Sequence, residues 1–373
     1  MWKTTEGSSG RLAQLCLGYF FFYVATGVTV KYFTGSASRG YPGMDSLEFL
    51  VYSTLGGNSI CLLAALVLRW YRMESNRLVH WGGFKFPAEF FYIVPSGICT
   101  AVVIPTTTLM YMLPISVMVA MVIMRASIII VSRIVDAIQI RQGILSKKVY
   151  REEDIAVVFA LLAAGVHMVL VKKGDFDFLK SHAAVSILGS YIVAYAIRIY
   201  IMNYFKNTRA KGVRLDNKGY FAIEQFTASS AMILVTVLLF HSPQLFGWDF
   251  KQIDIFRGAI SNPKPTWGWG TLAGTAYGMV AFFSVFIFMF KGRTATFAGL
   301  VNRLTSLIAG TAATLISYFL FSGRFPKLAD WISLLFILIA VGFLARAERK
   351  RTAELLRLHE IGPVPAGAAG PVS

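Results

Sequence analysis

Long apolar runs separated by short polar stretches dominate the chain. Runs of about 20 residues, enough for a helix to cross a hydrocarbon core of roughly 30 Å, fall near 12–33, 46–69, 88–112, 114–140, 155–172, 182–206, 220–246, 269–290, 294–322 and 329–347. The pattern predicts an all-α integral membrane protein of about ten transmembrane helices. Composition agrees, with 56% hydrophobic residues among 373, a mean hydropathy of +0.60 and 15% charged residues, against about 25% charged in ordinary soluble domains. The segments group as an N-terminus at 1–11, five helices over 12–172, five more over 182–347, and a basic tail over 348–373 that begins as a short helix and ends Pro/Ala/Gly-rich and disordered.

The formal charge of +17 would suit nucleic acid, but its distribution points to the bilayer instead. Basic residues crowd the N-terminal side of the predicted membrane, as in Lys147, Lys148 and Arg151, or Arg346, Arg349, Lys350 and Arg351, and are sparser on the other. By the positive-inside rule both termini then lie in the cytosol. The first run is too long for a cleaved signal and reads as a retained helix. Cys16, Cys61 and Cys99 all fall inside runs, which argues against disulfides.

The two groups of five helices repeat one another. VIMRASIIIVSRIVDAIQIRQGILSKKVYREEDIAVVFALLAAGV (122–166) aligns with GLVNRLTSLIAGTAATLISYFLFSGRFPKLADWISLLFILIAVG (299–342), placing Arg125 on Arg303, Asp154 on Asp330 and Gly165 on Gly342, about 177 positions apart. A fainter echo joins Gly18 and Lys31-Tyr32-Phe33 to Gly189 and Asn203-Tyr204-Phe205. Since five is odd, the halves run in opposite directions across the membrane. Such inverted repeats place a transporter's substrate site near the midplane, where the halves meet.

Against that background Arg125 and Arg303 stand out. Arg125 lies about 11 residues, or roughly 16 Å, from the outer face and Arg303 about nine residues, or roughly 14 Å, from the inner one. A charge at the centre of a membrane helix costs roughly 2.5 to 3.5 kcal/mol even on the lenient insertion scale, and no carboxylate lies within a helical turn of either arginine, which leaves Glu48 or Glu224 of another helix as an alternative partner. Ser127 follows Arg125, and Asn302, Thr305 and Ser306 flank Arg303. Two permanent charges with forked donors suit a phosphate or carboxylate, so these residues form the candidate anion site. Arg198 either joins it or snorkels to the interface through its long stem. Tyr195 and Tyr277 either line the cavity with their hydroxyls or pack in the core. Arg133 and Asp136, three apart on one helical face, are expected to form a structural charge pair.

Other features read as scaffold. Gly270, Gly274 and Gly278 make a flat stripe suited to close helix packing. Pro95 and Pro105 are expected to kink the third helix, and Met112-Leu113-Pro114 to turn tightly into the fourth. The histidines, His80, His167, His182, His241 and His359, are scattered without metal-ligand spacing, and neither a phosphate-binding loop nor a dinucleotide fingerprint occurs. No metal, cofactor or enzymatic activity is expected. Nor is proton coupling, since the first helix carries no carboxylate.

The ten-helix inverted layout, the PTTTLMYMLPIS hairpin and the paired arginine segments resemble the drug/metabolite transporter superfamily over nearly the whole chain, to about residue 347. The stretch Gly299-Leu300-Val301-Asn302-Arg303 is similar to the Gly-Ala-Leu-Asn-Lys signature of its nucleotide-sugar branch, with Leu-Val at the middle pair and arginine in place of lysine. The seventh helix, YFAIEQFTASSAMILV, lacks the Phe-Tyr-Asn-Asn pattern of some members. The resemblance implies that Asn302 and Arg303 contact the sugar and phosphate part of a ligand.

The expected function is therefore secondary transport of a small anionic, phosphorylated or nucleotide-sugar-like metabolite by alternating access, as an antiporter. An EamA-type exporter of amino acids or amphipathic drugs, and a membrane-embedded lipid enzyme or scramblase, stay open as alternatives. The partners are the small-molecule substrate and membrane lipids, with no nucleic acid, and a homodimer is left open. The absence of Asn-x-Ser/Thr glycosylation acceptors favours a bacterial inner membrane over a Golgi or ER membrane.

Overall fold

The computed structural model describes residues 8–81, 83–112, 117–145, 149–169, 182–210, 212–321 and 325–360. Twelve α-helices account for most of them: α1 (Ser9–Phe33), α2 (Ser46–Val67), α3 (Phe90–Met112), α4 (Val117–Arg141), α5 (Arg151–Val169), α6 (His182–Asn207), α7 (Asn217–Phe240), α8 (Ser242–Phe246), α9 (Lys251–Ser261), α10 (Trp267–Phe288), α11 (Ala295–Phe321) and α12 (Leu328–Glu360). Eight of these, α1, α2, α3, α6, α7, α10, α11 and α12, are long and apolar enough to cross a membrane. That count is of the described residues; of the other two long helices, α4 carries Arg125, Arg133, Asp136 and Arg141, and α5 opens on Arg151, Glu152, Glu153 and Asp154.

Local chemistry sets several boundaries. The Ser8 hydroxyl accepts the Arg11 N–H at the start of α1, and Asp45 with Glu48 forms a capping box on α2. The seventh apolar run was expected to stay helical to 246, yet α7 stops at Phe240 and the chain turns into α8 and α9. Pro243, which has no N–H to donate and clashes with the preceding turn, is the break. At the C-terminus the tail helix is not separate: α12 runs unbroken for 33 residues to Glu360. The link after Met112 and the Pro/Ala/Gly-rich end lie outside the described residues. A hairpin unforeseen in the apolar pattern, β1 (Leu78–Trp81) with β2 (Phe84–Pro87), joins α2 to α3. It turns at Gly83, whose φ of +86° a side chain would resist.

Helix packing follows a regular scheme. α1 packs on α10 and α11, while α6 packs on α3 and α4; α2 packs on α10, while α7 packs on α3. Direct contacts also join α4 to α11, α5 to α12 and α2 to α7. The α2–α10 contact is backbone against backbone. A Cβ at Gly274 would lie 2.5 Å from the Ser53 Cα, one at Gly278 2.6 Å from the Ile60 side chain, and one at Gly56 2.8 Å from the Thr271 carbonyl carbon. Gly270 is less constrained, with its nearest neighbour, Tyr52, at an ordinary 3.4 Å.

Beside the hairpin, Glu89 ties the α2–α3 connection to the α6–α7 connection. Its carboxylate accepts from Arg209 Nη1 (2.7 Å), the Ser75 hydroxyl (2.5 Å) and the Asn76 N–H (2.6 Å). Burial pushes the Glu89 carboxyl up, but those donors and the Arg209 charge outweigh it and hold it below the usual carboxylate value.

Two outcomes follow. Gly274→Val should destabilise the protein by about 1–3 kcal/mol or more through overpacking, with Gly270→Ala far milder, as read from melting temperatures in detergent. Glu89→Gln should lower the melting temperature at neutral pH. Because a depressed carboxyl contributes stability that is lost as pH falls through its folded value, the gap from wild type should close on acidification.

Candidate functional site

The middle of the bundle holds a cluster of tyrosines and arginines built from five helices. α1 supplies Tyr19 and Tyr23, α4 supplies Arg125, α6 supplies Tyr195 and Arg198, α10 supplies Tyr277, and α11 supplies Asn302 and Arg303. Tyr19 lies within Coulombic reach of both Arg125 and Arg303, and Tyr277 within reach of Tyr195, Tyr23 and Arg198.

The three arginines are compensated very differently. Arg198, buried at 4% exposure, forms a two-pronged pair with Glu224 of α7: Nε to Oε1 is 2.9 Å and Nη2 to Oε2 is 3.0 Å. The same carboxylate accepts from the Ser96 hydroxyl at 2.7 Å and the Thr100 hydroxyl at 3.2 Å, and Ser96 also shares a 2.7 Å hydrogen bond with the Tyr220 hydroxyl. Arg198 therefore does not snorkel. It is a closed, neutral unit with its counter-ion.

Arg125 and Arg303 have no carboxylate partner among the described residues. Arg125 is 6% exposed; its Nη2 donates to the Tyr23 hydroxyl at 3.2 Å, and its guanidinium carbon lies 5.8 Å from the Tyr23 ring centre. Arg303 is 8% exposed and sits 4.9 Å over the Tyr195 ring, while its Nε and Nη2 donors are buried without a hydrogen-bond partner. Glu48 pairs with Lys264 at 2.8 Å. Tyrosine faces attract a guanidinium by about 0.5–2 kcal/mol, well short of what a counter-ion supplies.

The polar residues beside the arginines are already occupied. Asn302 donates to Ser284 Oγ at 3.0 Å and accepts from the Tyr19 hydroxyl at 3.3 Å, which ties α11 to α1 and α10. The hydroxyls of Ser127 and Thr305 donate to the carbonyls of Ile123 and Val301 one turn back, both at 2.7 Å.

The expected pair of Arg133 with Asp136 is not formed. Arg133 reaches Asp154 on α5 instead, at 3.1 Å. Asp136 is fully buried and accepts the backbone N–H groups of Ala295 (2.8 Å) and Thr296 (2.6 Å) and the Asn203 amide (3.3 Å). The bare N–H groups of a helix start attract a carboxylate more directionally than a neighbour on the same helix does, which is why spacing along α4 misled. Tyr19 and Tyr23 were the residues sequence reasoning passed over, while Glu224, open in the sequence as a partner of Arg125 or Arg303, pairs with Arg198 instead. A carboxylate inside the seventh apolar run was itself a signal, since intramembrane charges demand a partner.

No protein-family model matches the chain, and no curated protein matches it. A solved structure described only as "Crystal structure of protein" superposes with a TM-score of 0.52 at 12% identity, over 92% of this chain and 99% of that one. That likeness is one of fold alone.

Breaking a buried ion pair from one side costs about 3–5 kcal/mol, whereas replacing both partners by apolar residues is often neutral. Glu224→Gln should therefore lower the melting temperature steeply, and Arg198→Met combined with Glu224→Leu should recover most of the loss.

Proposed function

We propose that this protein is a secondary transporter for a small anionic metabolite, phosphorylated or carboxylated, which it moves by alternating access. The observation that carries this reading is the contrast between Arg198, neutralised by Glu224, and Arg125 and Arg303, buried without a counter-ion among the described residues. An anion that engages both guanidiniums supplies the missing compensation through charge-assisted, forked hydrogen bonds.

The packing scheme supports two inverted five-helix halves, α1–α5 and α6, α7, α10, α11 and α12, with α4 and α5 completing ten spans and both termini on one side. Exchanging α1 with α6, α2 with α7, α3 with α10, α4 with α11 and α5 with α12 carries each principal contact onto another contact of the bundle. Each half then contributes one arginine against one tyrosine, Arg125 with Tyr23 and Arg303 with Tyr195. In such folds the site lies where the halves meet, and rocking them exposes it alternately to either side. Asn302 acts through Tyr19 and Ser284 as a positioning residue in this scheme, and the resemblance of the Gly299–Arg303 stretch to the nucleotide-sugar signature leaves that ligand class the first to try.

The test is a thermal-shift screen of the purified protein against inorganic phosphate, sugar phosphates, nucleotide sugars, dicarboxylates, amino acids and lipophilic cations. A ligand present at 100 times its Kd stabilises the folded state by about 2.7 kcal/mol. An anion should raise the wild-type melting temperature and lose that effect in Arg303→Leu, while the unliganded variant melts at or above the wild-type temperature because an unpaired buried charge has gone. Stabilisation by amino acids or cations, equal in both proteins, would replace this reading with that of an exporter.

A further inference from the structure

The start of α11 is gripped by two carboxylates from α4 and α5. Asp136 of α4 accepts the N–H groups of Ala295 and Thr296. Glu153 of α5, fully buried, accepts the Thr294 hydroxyl at 3.1 Å, and that hydroxyl itself accepts the Phe297 N–H at 3.1 Å. Glu153 is held in turn by Arg351 of α12. Around this knot Arg293 pairs with Glu348, Lys350 with Glu152, and Tyr150 with Glu354. Asp136 is steadied by Asn203 of α6, which also donates to Gln139 at 2.8 Å.

We propose that Asp136 and Glu153, acting together on Thr294–Thr296, form a latch that closes the central arginine site at this end of the bundle. The idea rests on the transporter reading for its purpose, but not for its measurement. Position argues for it first: Arg303 lies eight residues, or about 12 Å, along α11 from Ala295, so the latch sits at the end of the helix that carries the site. Chemistry argues for it second. The contact between α4 and α11 at this end combines close packing, with Gly299 against Ser132, and hydrogen bonds from backbone N–H groups to one carboxylate, and water can take over those polar groups when the helices part. Third, the offset of 178 that places Arg125 on Arg303 places Asp136 on Thr314 and Glu153 on Trp331, so neither carboxylate recurs at its equivalent position in the other half.

The chain carries its own reporter. Cys16 of α1 is partly buried and packs against the apolar cluster that holds Leu304, the residue next to Arg303, whereas Cys61 is buried against Gly278 in the glycine contact of α2 and α10. The protein is reconstituted in liposomes without substrate and exposed to a membrane-impermeant maleimide, with alkylation read at each cysteine by mass spectrometry. Asp136→Asn and Glu153→Gln together should speed Cys16 labelling at least tenfold and leave Cys61 unchanged. Asp136→Glu, which keeps the carboxylate, should stay near wild type. Should the double variant fail to fold, Glu153→Gln alone is read, because it preserves shape and an acceptor for Thr294; at least a threefold rise at Cys16 is then required. Unchanged Cys16 labelling in a folded variant overturns the latch, and so does a parallel rise at Cys61, which would mean general loosening. If Cys16 opens as expected while no anion stabilises the protein in the thermal-shift screen, the latch stands and the assigned substrate class falls.

Discussion

A charge buried in a low-dielectric interior must be compensated, and this bundle is organised around how that is done for its arginines. Arg198, Arg293 and Arg351 each have a carboxylate, in Glu224, Glu348 and Glu153. Arg125 and Arg303 have tyrosine rings. The difference is physical rather than incidental. A paired arginine carries its own counter-charge, and breaking that pair is expensive, whereas the Arg303 guanidinium, stacked on a ring with Nε and Nη2 unbonded, keeps most of its capacity to bind an anion.

Two kinds of interhelical contact surround this centre. Between α2 and α10 the glycines bring backbones into direct contact. The close fit leaves no room for side chains to rearrange, and separation would open a void along the whole seam. Between α4 and the start of α11 the packing, with Gly299 against Ser132, is joined by a polar contact made by Asp136 and supported through Glu153 from α5. The polar groups can exchange protein partners for water, which the glycine seam cannot do.

The neutral Arg198–Glu224 unit links these regions. Glu224 is held by Ser96 and Thr100 of α3, and Arg198 borders Tyr195, the ring on which Arg303 rests. Tyr195 is thus flanked by a compensated charge and an uncompensated one. Its placement depends on a pair of helices, α3 and α7, that contribute no charge to the anion site themselves.

The apolar runs alone determined that the chain is helical and suited to lipid, because a stretch of about 20 apolar residues has few other stable forms. The isolated arginines were equally legible, since a charge in such a run is an anomaly wherever its partner lies. Tertiary structure decided which charges meet. Arg133 bypassed Asp136, three residues away, for Asp154 on α5, and Asp136 turned to the start of α11, more than 150 residues on. Arg198 found Glu224 on the next helix, while Asn302 bonds to Tyr19 of α1 and Ser284 of α10. Periodicity reports which face of a helix a residue occupies. The helix that will lie against that face is set by the packing of the whole bundle, and only that packing determines whether a buried charge is neutralised or left open to a ligand.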